Sequence, residues 1–148
     1  WAEVVASLSA VPALDAATLE VLRVEAGIPR FGADLTETTI PLEANLEGAI
    51  AYDKGCYIGQ EVIARATYRG HMNRKLTGLL LGELAPASGT ELRSGDKKAG
   101  WVTSVVASPA RGQNVALAYV HKDFLAEGTR LELATGGAAT VAALPLGA

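Results

Sequence analysis

The densest group of potentially reactive side chains lies in Asp53–Glu61, which reads DKGCYIGQE and runs into a predicted helix from about Ile58 to Ala66. A cysteine at or just before a helix start lies near unsatisfied backbone N–H groups, which favour the thiolate over the thiol. Lys54 adds a second positive neighbour to Cys56. The segment therefore predicts a reactive, ligand-facing thiol. The alternative is that Cys56 is a small buried hydrophobe.

A second candidate is Glu25, which lies in the otherwise apolar stretch LRVEAGIP. A carboxylate in apolar surroundings is costly unless another group pairs with it. The partner could be Arg23 or Arg30, which would make a structural ion pair. It could also be a ligand that presents two adjacent N–H donors, such as a pterin edge. Both interpretations stay open on the residues alone.

A third candidate is a locally basic stretch with no acidic residue between Glu61 and Glu83. Four cationic side chains in it could hold an anionic tail or a phosphate, or could belong to a solvated linker. They are Arg65, Arg69, Arg74 and Lys75.

Other site types and partner classes are excluded by composition and spacing. Cys56, His71 and His121 lack metal-binding spacing, so no metal site is predicted, and a Cys56–His71 nucleophile–base pair would depend on the fold. A net charge of −3 argues against direct nucleic-acid binding. The single cysteine is typical of a reducing cytoplasm, and no apolar run is long enough for a membrane span. We therefore expect a soluble, cytoplasmic protein.

The elements that position these residues fall into two halves of different character. In the first, helices are predicted around Val4–Leu8, ended by Pro12, and after an N-capping Asp15, ended at Gly27. Leu19 and Leu22 supply an apolar stripe in the second helix, and Ile58, Val62 and Ala66 are predicted to form the buried stripe of the third.

The second half reads as short strands rich in Val and Leu, separated by glycine-containing turns. This spacing is typical of a small antiparallel barrel or sandwich. The boundary is expected in the loop Tyr68–Arg74. The predicted strands are Leu76–Leu81, Trp101–Val106, Val115–Val120, Arg130–Leu133 and Ala139–Leu144.

The octapeptide KGCYIGQE at residues 54–61 resembles the K-G-C-Y-x-G-Q-E signature of the YgfZ branch of the YgfZ/GcvT family, the folate-binding relatives of the glycine-cleavage T-protein. Further segments resemble landmarks of the same family and extend the resemblance over nearly the whole chain. They are Leu22–Asp34, Pro41–Asn45, Gly100–Ser104, Ser108-Pro109 and Ala116–Val120.

The resemblance implies a tetrahydrofolate site and a role in the assembly or repair of iron–sulfur clusters, in client enzymes such as those that thiolate tRNA. It implies that Glu25 binds the pterin and that Cys56 and Lys54 carry the function. The further cofactor-binding residues that we expect from it are Arg23, Tyr57, Gly59 and Gln60. T-proteins generally lack the K-G-C-Y form, so Cys56 favours the iron–sulfur branch. The alternatives are a folate-dependent aminomethyltransferase and a non-catalytic scaffold that docks a client.

The family also implies an α+β architecture. Residues 1–74 would be the C-terminal part of a mixed α/β folate-binding domain, and residues 75–148 a complete small antiparallel β-barrel. Family members are considerably longer, so we expect an N-terminal half of the same protein to supply other walls of the folate pocket. The expected partners are this half, folate and iron–sulfur client enzymes, without a membrane or direct nucleic-acid partner.

Overall fold

The computed structural model describes residue 3 and residues 12–69 and 72–147, and six of its strands close into an antiparallel barrel. Around the barrel the strand order is β1-β4-β3-β2-β5-β6, and β6 pairs with β1 to close it. This confirms the predicted α+β class with a small barrel. The strands are β1 Arg74–Gly82, β2 Glu91–Ser94, β3 Lys97–Ser108, β4 Gln113–His121, β5 Arg130–Leu133 and β6 Ala138–Ala142.

Within residues 12–69, two ten-residue α-helices precede the barrel, α1 over Ala16–Glu25 and α2 over Gln60–Arg69. Asp15 caps α1 as predicted, because its side chain accepts a hydrogen bond from the Thr18 backbone N–H at 2.6 Å. Short 3₁₀ turns complete the set: η1 Pro41–Ala44, η2 Glu47–Ala49 and η3 Lys122–Phe124. The helix predicted around Val4–Leu8 lies outside the described residues. None of the described helices is long and apolar enough to cross a membrane.

The five predicted strands all lie in or overlap observed strands, but β2 was not predicted. Only Leu92 among its four residues is buried, so the segment lacks a pattern that distinguishes it from a turn. Leu92 pairs with Gly100 of β3 and with Leu133 of β5. The short strand is therefore specified by its two neighbours rather than by its own sequence.

Two apolar clusters lie on opposite sides of the barrel wall, one inside the barrel and one outside it. The interior is filled by side chains from all six strands, such as Leu79, Leu92 and Val141. A second cluster outside the wall joins Val24 of α1 to residues of β1 and β4 and to Leu146 near the chain end. Leu146 packs directly on Gly78, where an added Cβ would lie 2.5 Å from the Leu146 Cδ2 atom. Glycine at 78 therefore lets the C-terminal segment lie against the barrel.

The buried stripe predicted for the third helix is wrong at Ile58 and Val62, while Ala66 is half-buried. The apolar stripe of the second helix is largely exposed. Leu19 and Leu22 are 60% and 46% exposed, because α1 contacts the barrel through its last turn, where Val24 is fully buried. Ile58 precedes α2 and is fully exposed, and Val62 is 52% exposed, whereas Ile63 is buried. Periodicity locates an apolar face but does not say which part of it a neighbour covers.

Candidate functional site

Arg23 lies at the centre of a polar network that joins α1 to the barrel. Its guanidinium donates to both carboxylate oxygens of Glu20, to Asp34 Oδ2 at 2.7 Å, to the Ile28 carbonyl at 3.0 Å and to Ser104 Oγ at 2.7 Å. These bonds occupy all five guanidinium N–H donors. The hydrogen bond with Arg23 lowers the pKa of Glu20 and the same bond raises the pKa of Arg23. The geometry therefore engages Arg23 within the protein.

Asp34 is the acceptor that completes this network, and its side chain is fully buried. Besides the bond from Arg23, its carboxylate accepts from the Arg30 backbone N–H at 3.0 Å and from the hydroxyls of Thr103 and Ser104 of β3. Sequence reasoning did not select Asp34 as a site residue. The signal was present, since Asp34 ends the segment Leu22–Asp34 that resembles the family.

Glu25 ends α1 and is buried, with 9% of its surface exposed. Its Oε1 atom accepts a hydrogen bond from Ser108 Oγ at 2.5 Å. Of the two interpretations of Glu25, the ion pair with Arg23 or Arg30 is wrong, because Arg23 binds Glu20 and Asp34, and Arg30 binds Glu20. Among the described residues, the Glu25 carboxylate thus meets a neutral donor and no cation. Such a carboxylate can accept further neutral N–H donors.

Cys56 is exposed, so the alternative that it is a small buried hydrophobe is wrong. The helix begins later than predicted, at Gln60 after Gly59, whose φ is +90°. Cys56 therefore lies four positions before the first helical residue, on a non-helical segment. Lys54 turns towards Tyr57, with its Nζ 4.8 Å from the ring centre, a cation–π geometry.

A groove of about 430 Å³ lies between α2 and the segment that leads into η1. The structure brings Lys54, Tyr57 and Gly59 together in its wall, and it does not place Glu25 or Arg23 there. Gln60 is half-buried at the start of α2. The site residues thus divide into a groove set and a barrel-side set around Glu25. The other residues that line the groove are Glu37, Thr38, Thr39, Ile40, Pro41, Ala49, Ile50, Ala51, Ile58, Val62 and Ile63.

The basic stretch is largely neutralised by glutamates that lie earlier or locally in the chain. Arg74 pairs with Glu43 at 3.0 Å and Lys75 with Glu47 at 3.3 Å. Arg65 pairs with Glu61, which lies four residues earlier on the same helix. The Arg69 side chain and His71 lie outside the described part of the structure. Within residues 12–69 and 72–147, no cluster of three His, Cys, Asp or Glu side chains is arranged to hold a metal ion.

The Tyr119 hydroxyl is buried and, among the described residues, has no hydrogen-bond partner. Burial, with smaller effects from the charges of Glu43 and Asp34, raises the pKa of Tyr119 to about 12 from its ordinary 10.0. Because the folded state holds this proton more tightly than the unfolded state, stability falls as the pH rises from 10 towards 12.

We expect Tyr119→Phe to remove this alkaline loss, which is about 2 kcal/mol in the parent protein. At neutral pH the variant should be at least as stable as the parent, because the hydroxyl it removes is unpaired. Urea unfolding of both proteins at several pH values between 7 and 12 measures the difference. Parallel stability–pH curves for the two proteins would contradict the prediction.

We expect Cys56 to be alkylated by iodoacetamide in the folded protein at nearly the rate seen in denaturant, because its side chain is exposed. The chain has one cysteine, so mass spectrometry reports this site without a background. A folded-state rate more than about a hundredfold below the denatured rate would show a thiol protected by burial, against the exposure described above.

Comparison with known proteins identifies the barrel. Residues 74–146 match the family described as "Glycine cleavage T-protein C-terminal barrel domain". The chain is 33% identical over 115 residues to an aminomethyltransferase of Thermoanaerobacter pseudethanolicus. This alignment covers 77% of this chain and 31% of that protein. It is 37% identical over 132 residues to an aminomethyltransferase of Saccharopolyspora erythraea, with 85% of this chain and 36% of that protein covered.

A solved structure gives the same result. The chain superposes on the glycine cleavage system aminomethyltransferase T from Bartonella henselae with a TM-score of 0.75 and 27% identity, over 86% of this chain and 37% of that one. The chain thus spans about a third of the length of the relatives it matches. On these matches residues 74–146 form a C-terminal barrel domain of the glycine cleavage T-protein family, and the similarity to aminomethyltransferases extends over most of this chain.

Proposed function

We propose that the protein, in its full natural length, binds tetrahydrofolate and that Glu25 holds the pterin. The observation that carries this proposal is the buried Glu25 carboxylate, which meets a serine hydroxyl and no cation among the described residues. A pterin edge presents two adjacent N–H donors, which a carboxylate accepts in bidentate fashion. A carboxylate already neutralised by arginine would be a poorer acceptor for a ligand. The observed geometry therefore favours a ligand contact over a structural ion pair.

Arg23 has an indirect role in this proposal. All five of its guanidinium donors are used within the protein, which leaves none for folate. It holds α1 against β3 through Asp34 and Ser104, and Glu25 is the last residue of that helix. Arg23 thereby fixes the position of Glu25.

The groove beside α2 would accept another part of the folate molecule. Tyr57 supplies an aromatic wall, and Lys54 supplies a cation that suits the carboxylates of a glutamyl tail. An added Cβ at Gly59 would have no atom within 4 Å, so this side of the groove is open. Gln60, half-buried at the next position, is the proposed polar contact.

The finer proposal is a cytoplasmic role in assembling or repairing iron–sulfur clusters of client enzymes. Bound tetrahydrofolate supplies one-carbon chemistry at its ring nitrogens. The exposed Cys56, on a segment with the K-G-C-Y-x-G-Q-E pattern, supports the iron–sulfur role, because an accessible thiol can reach a client or a ligand. In this proposal Lys54 lies two residues from the thiol and supplies the nearby positive charge.

Two other functions have support of their own. The relatives at 33–37% identity are named aminomethyltransferases, which favours transfer of a one-carbon group onto folate as the second candidate. Exposed apolar side chains along and beside α2, at Ile58, Val62 and Tyr68, would suit a scaffold that docks a client.

We also propose that residues 1–74 complete a folate-binding domain together with a preceding part of the same protein. The chain spans about a third of the length of its relatives, and residues 37–63 line an open groove beside α2. On this proposal the domain boundary lies at residues 74 and 75, where the matched barrel begins.

Complementation of a deletion strain tests the proposed role. We expect the full-length protein to restore iron–sulfur enzyme activity, Cys56→Ala to fail, and Asp53→Asn, an exposed neighbour, to restore it as the control. Full restoration by Cys56→Ala removes the thiol from the proposal. Formation of methylene-tetrahydrofolate with a lipoyl carrier protein would instead establish the aminomethyltransferase.

A further inference from the structure

Ser108, the last residue of β3, is 3% exposed and makes two hydrogen bonds. Its Oγ accepts from the Arg111 backbone N–H at 3.1 Å and lies 2.5 Å from Glu25 Oε1. The Arg111 N–H is a donor, so it occupies a lone pair of the hydroxyl. The single hydroxyl hydrogen is thereby directed to the Glu25 carboxylate.

The backbone of Glu25 is held by a second contact from the C-terminal segment. Its carbonyl accepts hydrogen bonds from the backbone N–H groups of Leu146 at 2.5 Å and of Gly147 at 3.1 Å. The Arg111 side chain in turn donates to the Leu146 carbonyl. The turn after β3 and the C-terminal segment therefore fix Glu25 at both its carbonyl and its carboxylate.

We infer that Ser108 is a positioning residue that sets the orientation of the Glu25 carboxylate for its ligand. This inference rests on the proposed function, in which Glu25 binds a pterin. Each carboxylate oxygen has two acceptor sites, so the Ser108 bond at Oε1 leaves a site on that oxygen and both sites on Oε2. A carboxylate held in one plane loses less conformational freedom when it binds two N–H donors than a freely rotating one.

Folate titration of the full-length protein tests this inference with two ligands. The first is 5-formyltetrahydrofolate, and the second is an analogue with a methyl group in place of the pterin 2-amino group. We expect Ser108→Ala to weaken binding of the first ligand about tenfold and to reduce its preference over the analogue. Ser108→Cys keeps nearly the same side-chain size with a weaker hydrogen-bond donor. Its preference for the first ligand over the analogue should therefore lie between that of the parent protein and that of Ser108→Ala.

A matched control separates positioning from general destabilisation. Thr77 also has a buried hydroxyl, which donates to the Ala142 carbonyl at 3.1 Å, away from Glu25. Thr77→Val should lower the melting temperature and leave the ligand preference unchanged. Equal weakening of both ligands by Ser108→Ala and Ser108→Cys would overturn the positioning role, as would unchanged affinity.

A third variant distinguishes failure of this inference from failure of the proposed function. Glu25→Gln removes one carboxylate acceptor and should abolish the preference for the 2-amino ligand. If Glu25→Gln abolishes the preference for the 2-amino ligand and the Ser108 variants keep it, only the role of Ser108 is rejected and the pterin contact of Glu25 stands. If Glu25→Gln keeps the preference, the proposed pterin contact fails, and the inference about Ser108 fails with it.

Discussion

Replacing Asp34 with alanine is expected to destabilise the protein by about 3–5 kcal/mol, because it removes one of the two carboxylates paired with the largely buried Arg23 and leaves several buried donors without an acceptor. The Asp34 side chain is fully buried and accepts hydrogen bonds from Arg23, the Arg30 backbone, Thr103 and Ser104. Alanine removes all of these acceptors together. Urea unfolding, followed by circular dichroism, measures the change in the free energy of unfolding.

The matched control for this variant is Asp53→Ala, which removes an exposed carboxylate from a bend before α2. A surface substitution of this kind is expected to change stability by no more than about 0.5 kcal/mol. A loss of less than about 1 kcal/mol for Asp34→Ala would contradict the account, since the network would then not hold α1 to the barrel.

Replacing Glu25 with glutamine in the full-length protein is expected to weaken folate binding by about a hundredfold or more. Loss of one partner in a buried, charge-assisted bidentate contact typically has an effect of this order. The glutamine carbonyl can still accept from Ser108, so the melting temperature should remain within a few degrees of the parent. Calorimetric titration with 5-formyltetrahydrofolate measures the affinity.

The control for Glu25→Gln is Glu127→Gln, which changes an exposed carboxylate in the turn before β5. It should leave both affinity and stability unchanged. Affinity of Glu25→Gln within threefold of the parent would show that Glu25 does not hold the pterin.

Much of the fold was predictable because its signals are local. Asp15 caps α1 through a residue three positions away, and the glycine-separated runs of Val and Leu became strands of the barrel. Which apolar residues of the helices are buried was not predictable in the same way. Leu19 and Leu22 have helical spacing, but both are exposed in the structure. Among the described residues, α1 is packed against its neighbours at its last turn, around Val24. Which side of a helix is covered depends on tertiary packing.

The candidate site depended on contacts that lie far apart in the sequence. Ser108 and Glu25 are 83 positions apart. The sequence near Glu25 therefore indicates only the nearby arginines as hydrogen-bond partners for its carboxylate. Arg74 was read as part of a basic stretch because its partner Glu43 lies 31 positions upstream. The residue types at Glu25 and Cys56 indicated candidate chemistry. The groups that surround these residues come from distant parts of the chain, such as the barrel and the C-terminal segment around Glu25, so they are known only from the structure.

A crystal structure of the full-length protein with 5-formyltetrahydrofolate would show directly whether Glu25 holds the pterin. We expect both Glu25 carboxylate oxygens to lie about 3 Å from pterin nitrogens and Ser108 to keep its bond to Oε1. A pterin bound elsewhere, with no contact to Glu25, would contradict this expectation.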